Sequence, residues 1–324
     1  MRLPSLGTVA DRALEATIVG SFTKLGYQAR SRLFDWDPPD ADLGGQLAIV
    51  TGATSGLGRA TAAGLLRLGA DVWITSRSQE RAERAATELE HQPDARGHAT
   101  GVQLDTSDLD SVRALVARVA ESGRHVDVLV NNAGALTSDR RTDGRGMELT
   151  LSSHLVGPYL LVKEMRPHLV RGARVLFMAS GGMYTQGLDV DRIEMGEDEY
   201  RGTIAYARAK RGQVELVAYL GPRWAPEVRM HSVHPGWAAT AGVDAGIPGF
   251  GKVMGPLLRS ADQGADTMVW LAAGGAADEA PGQFWLDREP RGTVYLPGTG
   301  TDDAERRRLV EWLDEVTSPS APSA

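Results

Sequence analysis

The chain has no cysteine at all among its 324 residues. That absence excludes disulfides, thiolate metal sites and a cysteine nucleophile, and it suits a reducing cytoplasm. It also lacks an excess of positive charge. With a formal net charge of −7, nothing supplies the basic footprint that nucleic acid requires. No uninterrupted apolar run approaches the length of a membrane span. Asp11, Arg12 and Glu15 interrupt the start of the chain where a secretory signal would need its apolar region, so no cleavage is expected there. Internal repeats and a second glycine fingerprint are missing too, which favours one main domain over two. What remains is 42% hydrophobic and 24% charged residues, the composition of a globular protein with a sizeable core.

What is present is organised around Gln46 to Leu68. Leu47-Ala48-Ile49-Val50 is a short apolar run bounded by glycine, the signature of a strand buried on both faces. Thr51-Gly52-Ala53-Thr54-Ser55-Gly56-Leu57-Gly58 is a glycine turn, and a helical pattern follows with Ala60, Ala63, Leu65, Leu66 and Leu68. Strand, turn and helix N-terminus in that order make a site for a dinucleotide pyrophosphate. The spacing is G-x-x-x-G-x-G, distinct from the more familiar G-x-G-x-x-G.

Strand and helix then alternate. Strands are expected at Asp71–Ser76, Val102–Leu104, Val126–Val130, Arg174–Met178, Val228–Val233 and Phe284–Leu286. Helices are expected at Ser78–Glu90, around Leu109–Val119, over Met147–Val170, over Ile204–Leu220, from a capping box at Ser260–Gln263, and over Asp303–Val316. The pattern implies an α/β fold: a doubly wound parallel sheet of about seven strands with helices on both faces and ligands at the carboxyl ends of the strands.

Three segments follow from this reading: residues 1–45 as an amphipathic helical extension and linker, 46–317 as the main domain and 318–324 as a disordered tail. Through Phe34 the extension holds five basic and two acidic residues. A capping box at Thr8–Asp11 and apolar residues at Leu14, Ile18, Phe22 and Leu25 suggest a helix. It either lies on a membrane surface or packs on the domain or a partner subunit. Gly242 to Gly255 is either a connecting loop or a lid.

The chemistry concentrates in a few groups. Tyr206 and Lys210 stand one helical turn apart, and Ser180 ends a strand in Met178-Ala179-Ser180-Gly181-Gly182. A carbonyl under hydride attack gains charge on oxygen and needs a proton donor and a preorganised hydrogen bond. Tyr206 suits the first role and Ser180 the second, while the Lys210 ammonium favours the phenolate. At the end of the second strand Ser76 is followed by Arg77 where a carboxylate would select NAD, so NADP(H) is favoured over NAD(H). Met183, Tyr184, Trp237, Phe250 and Met254 are candidates for an apolar substrate cleft.

Together these motifs resemble the short-chain dehydrogenase/reductase family from Gln46 to about Val316. The glycine turn is similar to its cofactor turn, Asn131-Asn132-Ala133-Gly134 to its sheet-stabilising motif, and Ser180, Tyr206 and Lys210 to its catalytic set. Pro235-Gly236-Trp237-Ala238-Ala239-Thr240 resembles the segment that reaches the nicotinamide. Ser180-Gly181-Gly182-Met183, His234-Pro235-Gly236-Trp237 and Gly264-Ala265-Asp266-Thr267-Met268, with Phe22-Thr23-Lys24-Leu25-Gly26-Tyr27 ahead of the core, bring it closer to the branch called dehydrogenase/reductase SDR family member 12. The resemblance implies an oxidoreductase acting on a small carbonyl or alcohol, a Rossmann-type fold and a homo-oligomer. Gly52, Thr54, Ser55, Gly56, Leu57, Gly58, Ser76, Arg77, Asp105, Asn131, Ala133, Gly134, Pro235, Gly236 and Thr240 would hold the cofactor, with Lys210 also reaching its ribose. Asp105 is assigned to the adenine and Thr240 to the carboxamide; no metal is implied.

One position departs from the family pattern. His154 stands where an asparagine helps anchor a water relay. Either its imidazole, with a free pKa near 6.5, orders water, or it is a neutral core histidine whose carbonyl holds the water. The rival readings are a non-catalytic NADPH-binding or redox-sensing protein and a membrane-peripheral interaction protein.

Overall fold

The structure is a computed structural model that describes residues 6–134, 136–239, 255–276 and 279–319. Eight strands form one sheet: β1 Leu47–Val50, β2 Asp71–Ser76, β3 Ala99–Gln103, β4 Val126–Asn131, β5 Leu169–Met178, β6 Val228–Val233, β7 Phe284–Leu286 and β8 Glu289–Pro290. Their order is β3-β2-β1-β4-β5-β6-β7-β8. All neighbours are parallel except β7 and β8. The expected seven-strand sheet therefore gains a two-residue antiparallel edge, made where Asp287 and Arg288 turn the chain at φ +57° each. The order reverses between β1 and β4, and a crevice opens there at the carboxyl ends.

Three short helices, α1 Leu6–Glu15, α2 Ile18–Phe22 and α3 Lys24–Leu33, precede the sheet. Among the described residues the other α-helices are α4 Gly56–Arg67, α5 Gln79–Glu90, α6 Leu109–Glu121, α7 Leu149–Leu151, α8 Gly157–Met165, α9 Gly202–Trp224, α10 Ala261–Ala272 and α11 Asp303–Thr317. Alternation along β1 explains the layering. Leu47 and Ile49 face a core shared with α6, α8, α9 and α11, whereas Ala48 and Val50 face α4, α5 and α10.

The expected capping box at Ser260 and Gln263 forms in full. α1 begins at Leu6, which puts Thr8 inside the helix and not at its N-cap, and Asp11 is drawn to Arg30 and Arg291. The single helix expected over Met147–Val170 is broken by a wider π-type turn at Ser152–Val156 and ends as β5 begins at Leu169. Such a turn often marks a functional position, and His154 lies in it.

Candidate active site

The glycine turn is shaped by close approach. Gly52 and Gly56 adopt φ of +65° and +54°, which side-chain-bearing residues avoid. A Cβ on Gly52 would lie 2.9 Å from Ala133 Cα, and one on Gly58 would lie 2.4 Å from Asn132 Nδ2. The end of β4 buttresses the turn: the Thr51 hydroxyl accepts from the backbone N–H of Asn132 and of Ala133, both at 2.9 Å, and Asn132 Nδ2 donates to Thr51 O at 2.9 Å. This is the cradle that a pyrophosphate needs beside the N-terminus of α4.

The cradle opens into a cleft of about 1310 Å³. Gly52, Thr54, Ser55, Gly56, Leu57, Gly58, Ser76, Arg77, Asp105, Ala133, Gly134, Pro235 and Gly236 line it, as do His154, Ser180, Tyr206 and Lys210. Asn131 does not. It is buried at the end of β4 with its side-chain amide unpartnered among the described residues, and Asn132 occupies the wall in its place. Asp105 Oδ1 accepts from Ser107 N at 2.9 Å and from Ser107 Oγ at 2.7 Å, which fixes the carboxylate at the end of β3. Thr240, Phe250 and Met254 lie outside the described residues. Met183 is fully buried in the core beneath the cleft, so it does not line it.

At the other end of the cleft, the Ser180 hydroxyl accepts from Gly182 N at 3.3 Å and lies near enough to the phenol of Tyr206 to affect its proton. Burial pushes the Tyr206 phenol up, and the Ser180 hydroxyl opposes it. Lys210 lies one turn along α9, with Nζ 5.6 Å from the centre of the Tyr206 ring. It donates to Met178 O at 2.6 Å and to Gln213 Oε1 at 3.0 Å. Burial pushes Lys210 down to about 7. Both groups are desolvated and both lean towards their neutral forms, so the expected lowering of the tyrosine rests on the lysine ammonium together with the positive nicotinamide.

His154 is buried, its ring edge-on to Tyr206 with centroids 5.2 Å apart. It also covers Gly134, where a Cβ would lie 1.8 Å from Cε1 of the histidine. The His154 carbonyl accepts from Gln213 Nε2, so the oxygen to which one of the two readings gives the water already has a side-chain amide on it.

Five contributors escaped the sequence reading. Gln213 was within reach, since it follows Lys210 by three positions on the same helical face. Asn132 sits inside a motif already singled out, and Arg81, exposed on the first turn of α5, lines the cleft with Arg77. His234 accepts from Gly236 N at 2.9 Å through Nδ1, and burial, helped by the Arg259 charge, pushes it down to about 3. Phe22 opens the Phe22–Tyr27 stretch already singled out, and it lines the cleft from α2, a position that spacing alone does not give.

Comparison with known proteins finds similarity over most of the chain. The short chain dehydrogenase family model matches residues 46–246. Dehydrogenase/reductase SDR family member 12 of Homo sapiens is 34% identical over 302 residues, covering 91% of this chain and 93% of that protein. DnrU of Streptomyces sp. (strain C5), provisionally named a daunorubicin C-13 ketoreductase, is 34% identical over 256 residues, covering 77% of this chain and 86% of its own. A crystal structure of an uncharacterized protein from Mycobacterium Paratuberculosis shares the fold with a TM-score of 0.69 at 23% identity, covering 87% of this chain and 97% of that one.

Proposed function

This chain belongs to the short-chain dehydrogenase/reductase family, and from that premise we propose that it reduces a carbonyl, or oxidises the corresponding alcohol, with NADP(H), on an apolar substrate. The observation that carries the reading is the convergence of Ser180, Tyr206 and Lys210 on one cleft that begins at the Gly52–Gly58 cradle. When bound, the nicotinamide cofactor supplies or accepts the hydride. Gly52, Thr54, Ser55, Gly56, Leu57, Gly58 and Ala133 hold it at the cradle. Ser180 polarises the carbonyl with its hydroxyl. Tyr206 gives its phenolic proton to the carbonyl oxygen, a role in which a desolvated, neutral phenol is already in the donating form. Lys210, pinned by Met178 and Gln213, carries the positive charge that steadies the phenolate left behind. Arg77 and Arg81 favour a 2′-phosphate by charge-assisted hydrogen bonds.

The ketoreductase name of the Streptomyces relative supports the carbonyl class. Among the described residues no helix is long and apolar enough to cross a membrane. A cytoplasmic location, peripheral contact through residues 1–34 and a homo-oligomer belong to the same proposal. His154 in the asparagine position favours a second reading, NADPH binding without hydride transfer. Consumption of NADPH across a panel of carbonyls separates the two: turnover supports the first, and binding without turnover the second.

A further inference from the structure

We infer that Phe22, carried by the segment ahead of the sheet, is a specificity-determining residue: it forms the inner end of an aromatic wall that selects carbonyls flanked by a flat aromatic or polycyclic apolar group. The inference rests on the carbonyl-reductase reading and names its substrate class.

Four rings from four segments line the cleft: Phe22 at the end of α2, Tyr184 in the turn after Ser180, Trp237 after the Pro235-Gly236 turn, and Tyr295 beyond β8. Phe22 lies parallel to Tyr184 within 7° at 6.2 Å between centroids, and edge-on to Trp237 at 5.9 Å. Tyr184 in turn stacks on Tyr295 at 4.4 Å. The wall begins beside the reacting groups, because a Cβ on Gly181, next to Ser180, would lie 3.4 Å from Phe22 Cε2. The polar neighbour of Phe22, His234 at 4.4 Å between ring centres, is uncharged at neutrality because its pKa is pushed down to about 3. Such a surface offers flat, apolar contact with little polar competition.

The backbone behind Phe22 is clamped independently of its ring. Arg259 is buried and donates to Ser21 O at 3.0 Å and Phe22 O at 3.1 Å, while Trp237 N donates to Phe22 O at 2.7 Å. Asp287 bonds Arg259 at 2.5 Å and Arg30 at 2.7 Å, and Arg30 donates to Ser21 O at 3.1 Å. A Cβ on Gly236 would lie 2.2 Å from Arg259 Nε, so the Pro235-Gly236 turn rests on the same guanidinium. Most of the ring is packed among Tyr184, His234 and Trp237, and the small part that reaches the cleft is held from behind by the clamped backbone, which lowers the entropy cost of binding a rigid partner.

The test compares the full wild-type chain with Phe22→Ala and Phe22→Leu on 2-acetylnaphthalene and butanone, with NADPH consumption as the readout. The ratio of kcat/KM for the aromatic over the aliphatic ketone should fall about 10-fold in Phe22→Ala and less in Phe22→Leu, mainly through KM. A ratio within about 2-fold of wild type in both variants overturns the inference. If the wild type turns over neither ketone, the carbonyl reading is what has failed at that step. Calorimetric titration of 2-acetylnaphthalene into the NADPH-loaded chain then decides the wall on its own: binding weakened by Phe22→Leu supports it, and binding that is absent or insensitive overturns it.

Discussion

Lys210 Nζ lies 3.0 Å from Gln213 Oε1, and the same side chain donates its N–H to the carbonyl of His154. A single amide therefore joins the buried lysine to the π-type turn. An acceptor on the ammonium favours the charged form, against the burial that pushes Lys210 down to about 7. Gln213→Leu removes that acceptor and should move the Lys210-linked midpoint of the pH–rate profile to lower pH by about one unit. Gln213→Glu should move it the other way. Identical profiles in all three proteins would remove Gln213 from the account.

Acid should weaken the cofactor-free protein through two buried histidines. Burial pushes His231 down to about 4 and His234 to about 3, each with an arginine charge adding to the effect. The folded state keeps both neutral while the unfolded chain takes up protons below about 6.5. The stability is therefore fully present above 6.5 and is lost as pH falls through that value towards 4 and 3. Between pH 6.5 and 5 the loss should be about 2 kcal/mol per histidine, from about 1.4 kcal/mol per pH unit. Urea midpoints at pH 7 and 5, for the wild type and a His231→Gln/His234→Gln double variant, check this: the variant should lose less.

Arg77 and Arg81 line the cleft at the end of β2 and the start of α5. Replacing both with Ala should weaken NADPH by about 10- to 100-fold and leave NADH nearly unchanged, since the two exposed guanidiniums together should contribute about 1.5–3 kcal/mol to a charged partner. Fluorescence titration of both cofactors measures it. Tighter NADH than NADPH binding in the wild type would contradict the cofactor preference.

Asp287 carries two buried ion pairs, to Arg30 and Arg259. Burial opposes its charge, yet the Arg259 and Arg30 guanidiniums outweigh burial and hold the carboxyl below its usual range. Asp287→Ala leaves Arg259 buried without its carboxylate and Arg30 with Asp11 alone, a loss of about 3–5 kcal/mol. Limited proteolysis should then cleave between α3 and β1 far faster than in the wild type. Unchanged cleavage would show that the clamp contributes little.

The sheet was legible from the chain because each central strand announces itself locally: Leu47–Val50 between glycines, Val126–Val130 before Asn131, Val228–Val233 before His234. The glycine turn and the Tyr206–Lys210 spacing were legible for the same reason, as their partners are close in sequence. What could not be read was set by tertiary contact. The π-type turn at Ser152–Val156 runs into Gly157-Pro158, and because Pro158 has no N–H to give the His154 carbonyl, that oxygen takes its bond from distant Gln213. The protonation of Lys210 depends on burial, which spacing does not reveal. Phe22 reaches the cleft only because Arg259 and Asp287, from the far end of the chain, gather the carbonyls of Ser21 and Phe22. Asp11 was read as a helix cap but is used in that same ionic cluster.

The most direct test measures NADPH consumption with a panel of apolar ketones and aldehydes for the wild type and Tyr206→Phe, alongside NADPH affinity by titration. The account predicts turnover by the wild type, a loss of about 10²–10⁴-fold in the variant and NADPH affinity preserved within about 2-fold. Undiminished turnover in Tyr206→Phe would contradict it.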